Sequence, residues 1–209
     1  MKKIEAYGNI DEAVKALDNG GRFYNILTKK NDGIISEAEL GKVGGIFNDT
    51  QKMILFFELS TSKLNQTKKE ALISKMEEDL RTTFGKYKPQ ELLPSEADEK
   101  GMISSNAIIK GIPKLIETKS DFNGFIMVPI IANNVTTFVM VPIIDQYDIY
   151  ELRDEQFSKT FLIAHAKSSN KLPHKKMKVA GVLKELKANS DEKEASKKIL
   201  ETIYFQEID

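Results

Sequence analysis

Three side chains in the second half of the chain have types that enzymes use for proton transfer and anion binding: His165, Glu151 and Arg153. Histidine and glutamate act as general acids or bases when burial adjusts their pKa values, and arginine holds anionic groups with a planar fork. Each residue also has a structural interpretation. A histidine inside the apolar run FLIAHA can belong to the core, and Glu151 and Arg153 share one face of a strand, where they can form an ion pair or stay solvated.

The segment TKKNDGIISEAE, residues 28–39, is similar to an EF-hand calcium loop. The similarity covers the fifth position, the turn glycine, the apolar position and the last carboxylate: Asp32, Gly33, Ile35 and Glu39. The first and third positions are Thr28 and Lys30, and a lysine among the ligands would repel a cation. We therefore expect no bound metal and interpret the segment as a turn followed by a helix that starts with a capping box of Ser36 and Glu39.

A basic segment, KSSNKLPHKKMK, contains five lysines and no acidic residue. Lys175, Lys176 and Lys178 could together contact a polyanion or an acidic partner. The segment has neither arginine nor an aromatic ring, the groups most used for base contact and stacking, so we do not expect nucleic acid as the partner. A solvated loop is the other interpretation.

The composition excludes several classes of chemistry. Lys+Arg and Asp+Glu both number 31, so no net charge draws the whole protein to nucleic acid or to an anionic membrane. The chain has no cysteine and two histidines, which excludes thiol catalysis, disulfides and metal sites built from several cysteines or histidines. The glycine-rich phosphate loops and the nucleophile elbow of serine hydrolases are also absent, and we expect no cofactor.

The start of the chain, MKKIEAYGNIDEAV, has no apolar segment of a secretory signal. No stretch of about twenty consecutive apolar residues is present, the length that a membrane-spanning helix needs. We expect a cytoplasmic protein that does not contact a membrane.

The most regular feature is a pair of nearly identical apolar segments, FIMVPII and FVMVPII, which lie on either side of Asn133 and Asn134. Asparagine tolerates positive φ, so this pair favours a two-residue hairpin turn. Opposite residues then have numbers that sum to 267, which places Pro129 and Pro142 at pairs that exchange no hydrogen bonds within the hairpin. The prolines fit this register, and a shift of one residue would put them where an N–H donor is needed.

Both faces of this hairpin are apolar in the predicted register. One face carries the interface residues that we predict: Phe125, Met127, Phe138 and Met140. The other face carries valines and isoleucines. A solvated face would alternate with polar residues, so both faces must be covered, by the protein's own helices or by another subunit.

The order of patterns along the chain predicts an α+β fold. Residues 1–88 have helical patterns, 89–101 have the composition of a loop or linker, and 102–209 predict an antiparallel sheet around a 125–144 hairpin, closed by C-terminal helices. These parts can also form one compact domain. The predicted C-terminal helices are VAGVLKELK and DEKEASKKILETIYF, the second beginning after Ser190.

Two functional hypotheses follow. The first is a non-enzymatic protein-interaction or regulatory module that associates with itself or with a protein partner through the apolar hairpin. The second is a small-molecule binder or enzyme with a site near His165, Glu151 and Arg153. The sequence favours the first, because its catalytic motifs are absent and its hairpin is apolar on both faces.

Overall fold

A computed structural model describes residues 2–19, 31–46, 49–116, 124–132, 135–143, 147–154, 159–188 and 197–208. Within residues 124–142 and 187–188 it describes the backbone and its pairing alone. The chain divides into two compact units, one of Lys3–Pro89 and one of Met1–Lys2 with Gln90–Asp209. The described residues contain helices and a mixed β-sheet, which makes the protein α+β.

The first unit is helical in its described part. Its elements, which follow the short strand β1 (Lys2–Lys3), are α1 (Ile10–Leu17), α2 (Glu37–Gly44), α3 (Thr50–Ser60), α4 (Gln66–Ser74) and α5 (Glu78–Tyr87). Four of these helices begin with a side chain that accepts a hydrogen bond from the backbone of the first turn, provided by Asn9, Ser36, Asp49 and Asn65.

Helix α3 is the centre of this unit. Every residue from Met53 to Ser60 is buried, which an amphipathic surface helix would not show. The ring of Phe57 packs edge-to-face against Phe84 of α5, with 5.5 Å between the ring centroids.

The sequence TKKEALISKMEEDLRTTF, from Thr67, has the apolar periodicity of one helix, but the structure divides this region into two helices, α4 and α5. The break coincides with backbone pairing to the segment before α2. The N–H of Ile35 donates to the Lys75 carbonyl at 2.8 Å, and the N–H of Glu77 donates to the Ile35 carbonyl at 3.0 Å. These bonds use backbone groups that a continuous helix would have used internally.

The second unit contains β2 (Gln90–Leu92), α6 (Pro94–Lys100), β3 (Asn106–Leu115), β4 (Gly124–Ala132), β5 (Val135–Pro142), β6 (Tyr147–Arg153), β7 (Thr160–Ala166), β8 (Met177–Ala188) and β9 (Lys197–Glu207). Three expectations are wrong here. The predicted linker 89–101 holds β2 and α6, whose Leu92 and Ala97 belong to the core. The sheet is mixed, because β2 pairs with β3 and β7 pairs with β9 in parallel.

The third correction concerns the C-terminal helices, whose described residues form strands β8 and β9. These segments are rich in Ala, Lys, Glu and Leu, which favour helices in isolation. In the protein they pair with each other from Met177 opposite Glu207 to Leu186 opposite Lys197, and burial in the sheet overrides the local preference. Residues 189–196, which include the predicted cap Ser190, lie outside the described residues.

Five strands of this unit close into a ring. β3 pairs with β6, β6 with β7, β7 with β9, β9 with β8, and β8 with β3. The neighbours β8, β3, β6 and β7 have the spatial order of a Greek key, in which the fourth strand lies beside the first. A five-stranded, partly open Greek-key barrel is the architecture of the OB-fold, and barrels of this kind support many unrelated functions.

Each of the five strands contributes buried side chains to one apolar core. Helix α6 and strand β2 add Ala97 and Leu92 to it. Its members on the ring strands are Ala107, Ile109, Tyr150, Leu152, Phe161, Ile163, Met177, Val179, Leu183 and Leu200. The alternate face carries a second apolar cluster of Ile143, Ile149, Ala164, Leu186 and Ile199.

Candidate interaction site

Strands β4 and β5 form an antiparallel arm, which we call the β4–β5 arm (residues 124–132 and 135–142). Eight residue pairs join the two strands, from Ala132 opposite Val135 to Phe125 opposite Pro142. The residue numbers of each pair sum to 267, as in the hairpin predicted from the sequence. Asn133 and Asn134, for which a turn is predicted from the sequence, lie outside the described residues.

The β4–β5 arm meets the barrel through a short ladder. In the described pairing, β4 contacts β8 at Gly124 opposite Ala188 and Phe125 opposite Lys187. β5 is the last strand of the sheet order and pairs with β4. The arm is therefore an extension of β8 that ends the sheet in an edge strand.

The register places the four predicted interface residues on one face of this arm. Met127 lies opposite Met140, Phe125 opposite Pro142, and Phe138 opposite Pro129. No charged residue occurs between Gly124 and Ile144. Natural edge strands commonly carry charges against unwanted pairing, and in this arm proline is the residue type with that effect.

His165 lies on the interior face of the barrel wall and is 1% exposed. Its Nε2 lies 2.7 Å from the Asn170 carbonyl oxygen, to which it donates when this nitrogen carries the proton. Its ring lies edge-to-face with Tyr150, 6.0 Å between centroids. Burial lowers the pKa of His165, and the hydrogen bond to Asn170 opposes this effect. A neutral imidazole that donates to a backbone carbonyl holds the following loop in place.

Two further side chains fix the same loop, residues 167–176, at the end of the barrel. The backbone N–H of Leu172 donates to the Tyr150 hydroxyl at 3.1 Å. The Nδ1 of His174 lies 2.9 Å from the Pro113 carbonyl oxygen. Both histidines of the chain thus contact carbonyl groups of the barrel end.

Glu151 and Arg153 lie on the other face of β6. Tyr150 and Leu152, which alternate with them, belong to the barrel core together with residues of β7 on the His165 side. Across the strands, Glu151 lies opposite Lys114 and Arg153 opposite Ile112. The structure therefore brings Glu151 and Arg153 to one face and places His165 on the other.

Two of the three predicted polyanion-binding lysines have carboxylate neighbours. The Lys175 Nζ lies 3.7 Å from Glu207, and the Lys178 Nζ lies 3.9 Å from Glu91. The backbone carbonyl of Lys176 accepts from Ile208 at 3.1 Å. These acidic neighbours reduce the positive potential that the sequence indicated for this segment.

The described part of the EF-hand-like loop uses its carboxylates for hydrogen bonds within the protein. One Glu39 carboxylate oxygen accepts from the Ser36 N–H and hydroxyl, both at 2.9 Å, which completes the predicted capping box. Asp32 accepts from the Ile34 N–H at 3.0 Å. Thr28 and Lys30 lie outside the described residues.

A buried aspartate that the sequence did not indicate holds this turn. Asp18, at the end of α1, is 2% exposed and accepts from the N–H groups of Asp32 at 3.1 Å and Gly33 at 2.8 Å. Gly33 has a φ of +87°, which suits glycine. The carboxylate thus binds the turn from a neighbouring helix.

A polar network on the outer face of the barrel was also not predicted. The Tyr147 hydroxyl of β6 donates to Glu201 of β9, and the other oxygen of Glu201 lies 2.9 Å from the Lys184 Nζ of β8. Burial and the Glu201 carboxylate raise the pKa of Tyr147. No sequence motif links these residues, because strand pairing alone brings them together.

Across the described residues, no cluster of three or more His, Cys, Asp or Glu side chains could hold a metal ion. The described helices include none that is long and apolar enough to cross a membrane. No protein-family model matches the chain, and no curated protein shows significant similarity to it.

Proposed function

We propose that this protein is a non-enzymatic protein-interaction module whose contact element is the β4–β5 arm. The observation that carries the proposal is the combination of the arm's pairing and its composition. Eight residue pairs lie within the arm, the described ladder to β8 has two, and no charged residue occurs from Gly124 to Ile144.

The faces of the arm support a contact role. Because the strands alternate, one face carries phenylalanine and methionine and the other valine and isoleucine. Phenylalanine and methionine are enriched at the centres of protein interfaces, where charged residues are depleted. A partner surface that covers the Phe138 and Met140 face would remove these apolar groups from water.

The geometry of the barrel wall gives less support to a catalytic role. A general base and an anion-binding arginine must reach the same substrate. His165 faces the core and binds the Asn170 carbonyl, whereas Glu151 and Arg153 lie on the opposite face. The three residues would act separately.

The first experiment compares the wild-type chain with Met140→Lys and with a chain in which residues 125–142 are replaced by a short Gly-Asn-Gly linker. Native mass spectrometry reports self-assembly, and the wild type and both variants, each immobilised as bait, report whether a protein is captured from cell extract. We expect assembly or capture by the wild type and its loss in both variants, with circular dichroism spectra that retain the barrel. Ser168→Lys adds the same charge on the exposed loop and is expected to change nothing.

Two results would overturn the proposal. If Met140→Lys and the arm replacement unfold the barrel, the arm is part of the core and not a contact element. If the wild type neither assembles nor captures a protein in an arm-dependent way, the arm has no interaction role.

A further inference from the structure

We infer that the partner of the β4–β5 arm is a second copy of this chain, joined through the outer edge of β5 in an antiparallel, two-fold symmetric pair. This inference rests on the proposed function and adds the partner and the register. It follows from the backbone groups that the β5 edge presents and from where proline interrupts them.

The register of the arm determines which backbone groups of β5 face away from β4. In a hairpin with a two-residue turn, the flanking pair exchanges both hydrogen bonds, and every second pair does so after it. Val135, Thr137 and Val139 therefore direct their N–H and C=O groups to β4. The alternate residues of β5 direct theirs outward: Thr136, Phe138, Met140 and Pro142.

Three of the four outward residues have an N–H to donate, and the fourth, Pro142, does not. When a two-fold axis relates two identical antiparallel strands, either one residue lies opposite its own copy or two neighbouring residues lie opposite each other's copies. With Phe138 on the axis, Thr136 of one copy lies opposite Met140 of the other, and all three donors of each copy find an acceptor. A shift of the axis by one residue toward Pro142 places that proline opposite Thr136, and the Thr136 carbonyl of each strand then has no N–H to accept from.

The outer edge of β4 cannot serve in the same way. Its outward residues are Phe125, Met127, Pro129 and Ile131, and proline stands in the middle of that row. Phe125 is also already paired with Lys187 of β8. Of the two described edges of the arm, the β5 edge is thus the one that presents three outward N–H donors with no proline between them.

The absence of charge in the arm permits its pairing with a second copy. Two copies of a segment without charged residues bring no like charges together, which an edge-to-edge pair of charged strands would do. Antiparallel pairing of β5 with its copy would produce a four-stranded sheet, with Phe138 and Met140 of both copies on one face. A sheet of this size is far more stable than an isolated two-stranded arm.

The chain contains no cysteine, so a single introduced cysteine reports the register without competing thiols. In Phe138→Cys the two sulfurs belong to a directly opposite pair, whose Cα atoms are about 5.5 Å apart, within the range for a disulfide. In Met140→Cys, the matched control, the two cysteines lie four residues apart along the ladder, about 14 Å at roughly 3.4 Å per residue.

The experiment oxidises each single-cysteine protein at native conditions and measures the disulfide-linked dimer by non-reducing electrophoresis and mass spectrometry. We expect a linked dimer for Phe138→Cys as the main product and background linkage for Met140→Cys. A mixture of Thr136→Cys and Met140→Cys should link the two different chains, although neither variant links well alone. Because both chains of the mixture retain Phe138, this experiment tests the register even if Phe138→Cys prevents association.

The outcomes separate this inference from the proposed function. If the wild type assembles and Met140→Lys abolishes assembly, but neither Phe138→Cys nor the mixture links, the arm is a contact element and the β5 register is overturned. If the wild type is monomeric at every concentration measured while the arm captures another protein, the second copy is overturned and the interaction role stands. Linkage of Met140→Cys alone would indicate a different axis.

Discussion

Replacement of Asp18 tests whether a carboxylate of the protein holds the EF-hand-like turn. The Asp18 carboxylate is buried and accepts hydrogen bonds from the N–H groups of Asp32 and Gly33 at 3.1 and 2.8 Å. In Asp18→Ala both N–H groups lose their acceptor. A hydrogen bond to a charged group contributes about 1.5–3 kcal/mol, and two bonds to one carboxylate are not fully additive, so we expect a loss of about 3 kcal/mol. Asp18→Asn keeps one acceptor oxygen, and we expect about half of that loss.

Denaturation followed by the far-ultraviolet helix signal measures the loss, and hydrogen exchange of the Asp32 and Gly33 amides locates it. If these two amides exchange through unfolding of the whole helical unit, a loss of about 3 kcal/mol corresponds to roughly a hundredfold faster exchange. Lys15→Ala, an exposed change in the same helix, is the control. A loss below about 0.5 kcal/mol in Asp18→Ala, the range of ordinary surface substitutions, would refute the reasoning. So would a calcium-dependent rise of the melting temperature, because a cation would then hold the turn.

Three further predictions concern the barrel. Burial lowers the pKa of His165, so this histidine binds a proton at higher pH in the unfolded chain than in the folded protein, and the free energy of unfolding should fall as the pH drops below about 6.5. His165→Asn should reduce this pH dependence in denaturation curves, and an unchanged dependence would contradict the role assigned to His165. Tyr147→Phe removes the hydrogen bond to Glu201 and should lower the free energy of unfolding by about 1 kcal/mol. Because burial and the Glu201 carboxylate raise the pKa of Tyr147, an absorbance titration at alkaline pH should show one fewer tyrosine with a raised pKa in this variant. In Gly181→Ala the new Cβ would clash with the Glu201 carbonyl oxygen, and the substitution should cost about 2 kcal/mol or more. Gly85→Ala, with no atom within 4 Å of the added Cβ, should not destabilise the protein, and equal stability of the two variants would contradict the close strand approach at the β8–β9 bulge.

Local signals in the sequence account for the start of α2 and agree with the pairing of the arm. The capping box of Ser36 and Glu39 is a contact within four residues, and the arm register is predicted from an Asn-Asn pair and two prolines within twenty residues of sequence. These features need no knowledge of the rest of the chain, because the groups that interact are close in sequence.

Features that depend on distant pairing could not be predicted in this way. The segment VAGVLKELK has helical propensity, yet β3 and β9 on its two sides make it a strand. The helix break at Lys75 contains neither glycine nor proline and arises from backbone bonds to Ile35, forty residues earlier. Asp18 and Glu201 likewise look like ordinary acidic residues until the fold brings their partners to them.

The contrast between the barrel and its arm supports the proposal that the arm is the contact element. In the described ring of β3, β6, β7, β9 and β8, each strand has a neighbouring strand on both sides, with the β7–β9 ladder formed by two residue pairs. The β4–β5 arm restores an edge at β5 and carries no charge to protect it. An edge of this kind is a hazard for aggregation unless one specific strand occupies it. A copy of the same strand meets that requirement with donors and acceptors in matching positions, and Pro142 limits the length over which pairing can continue.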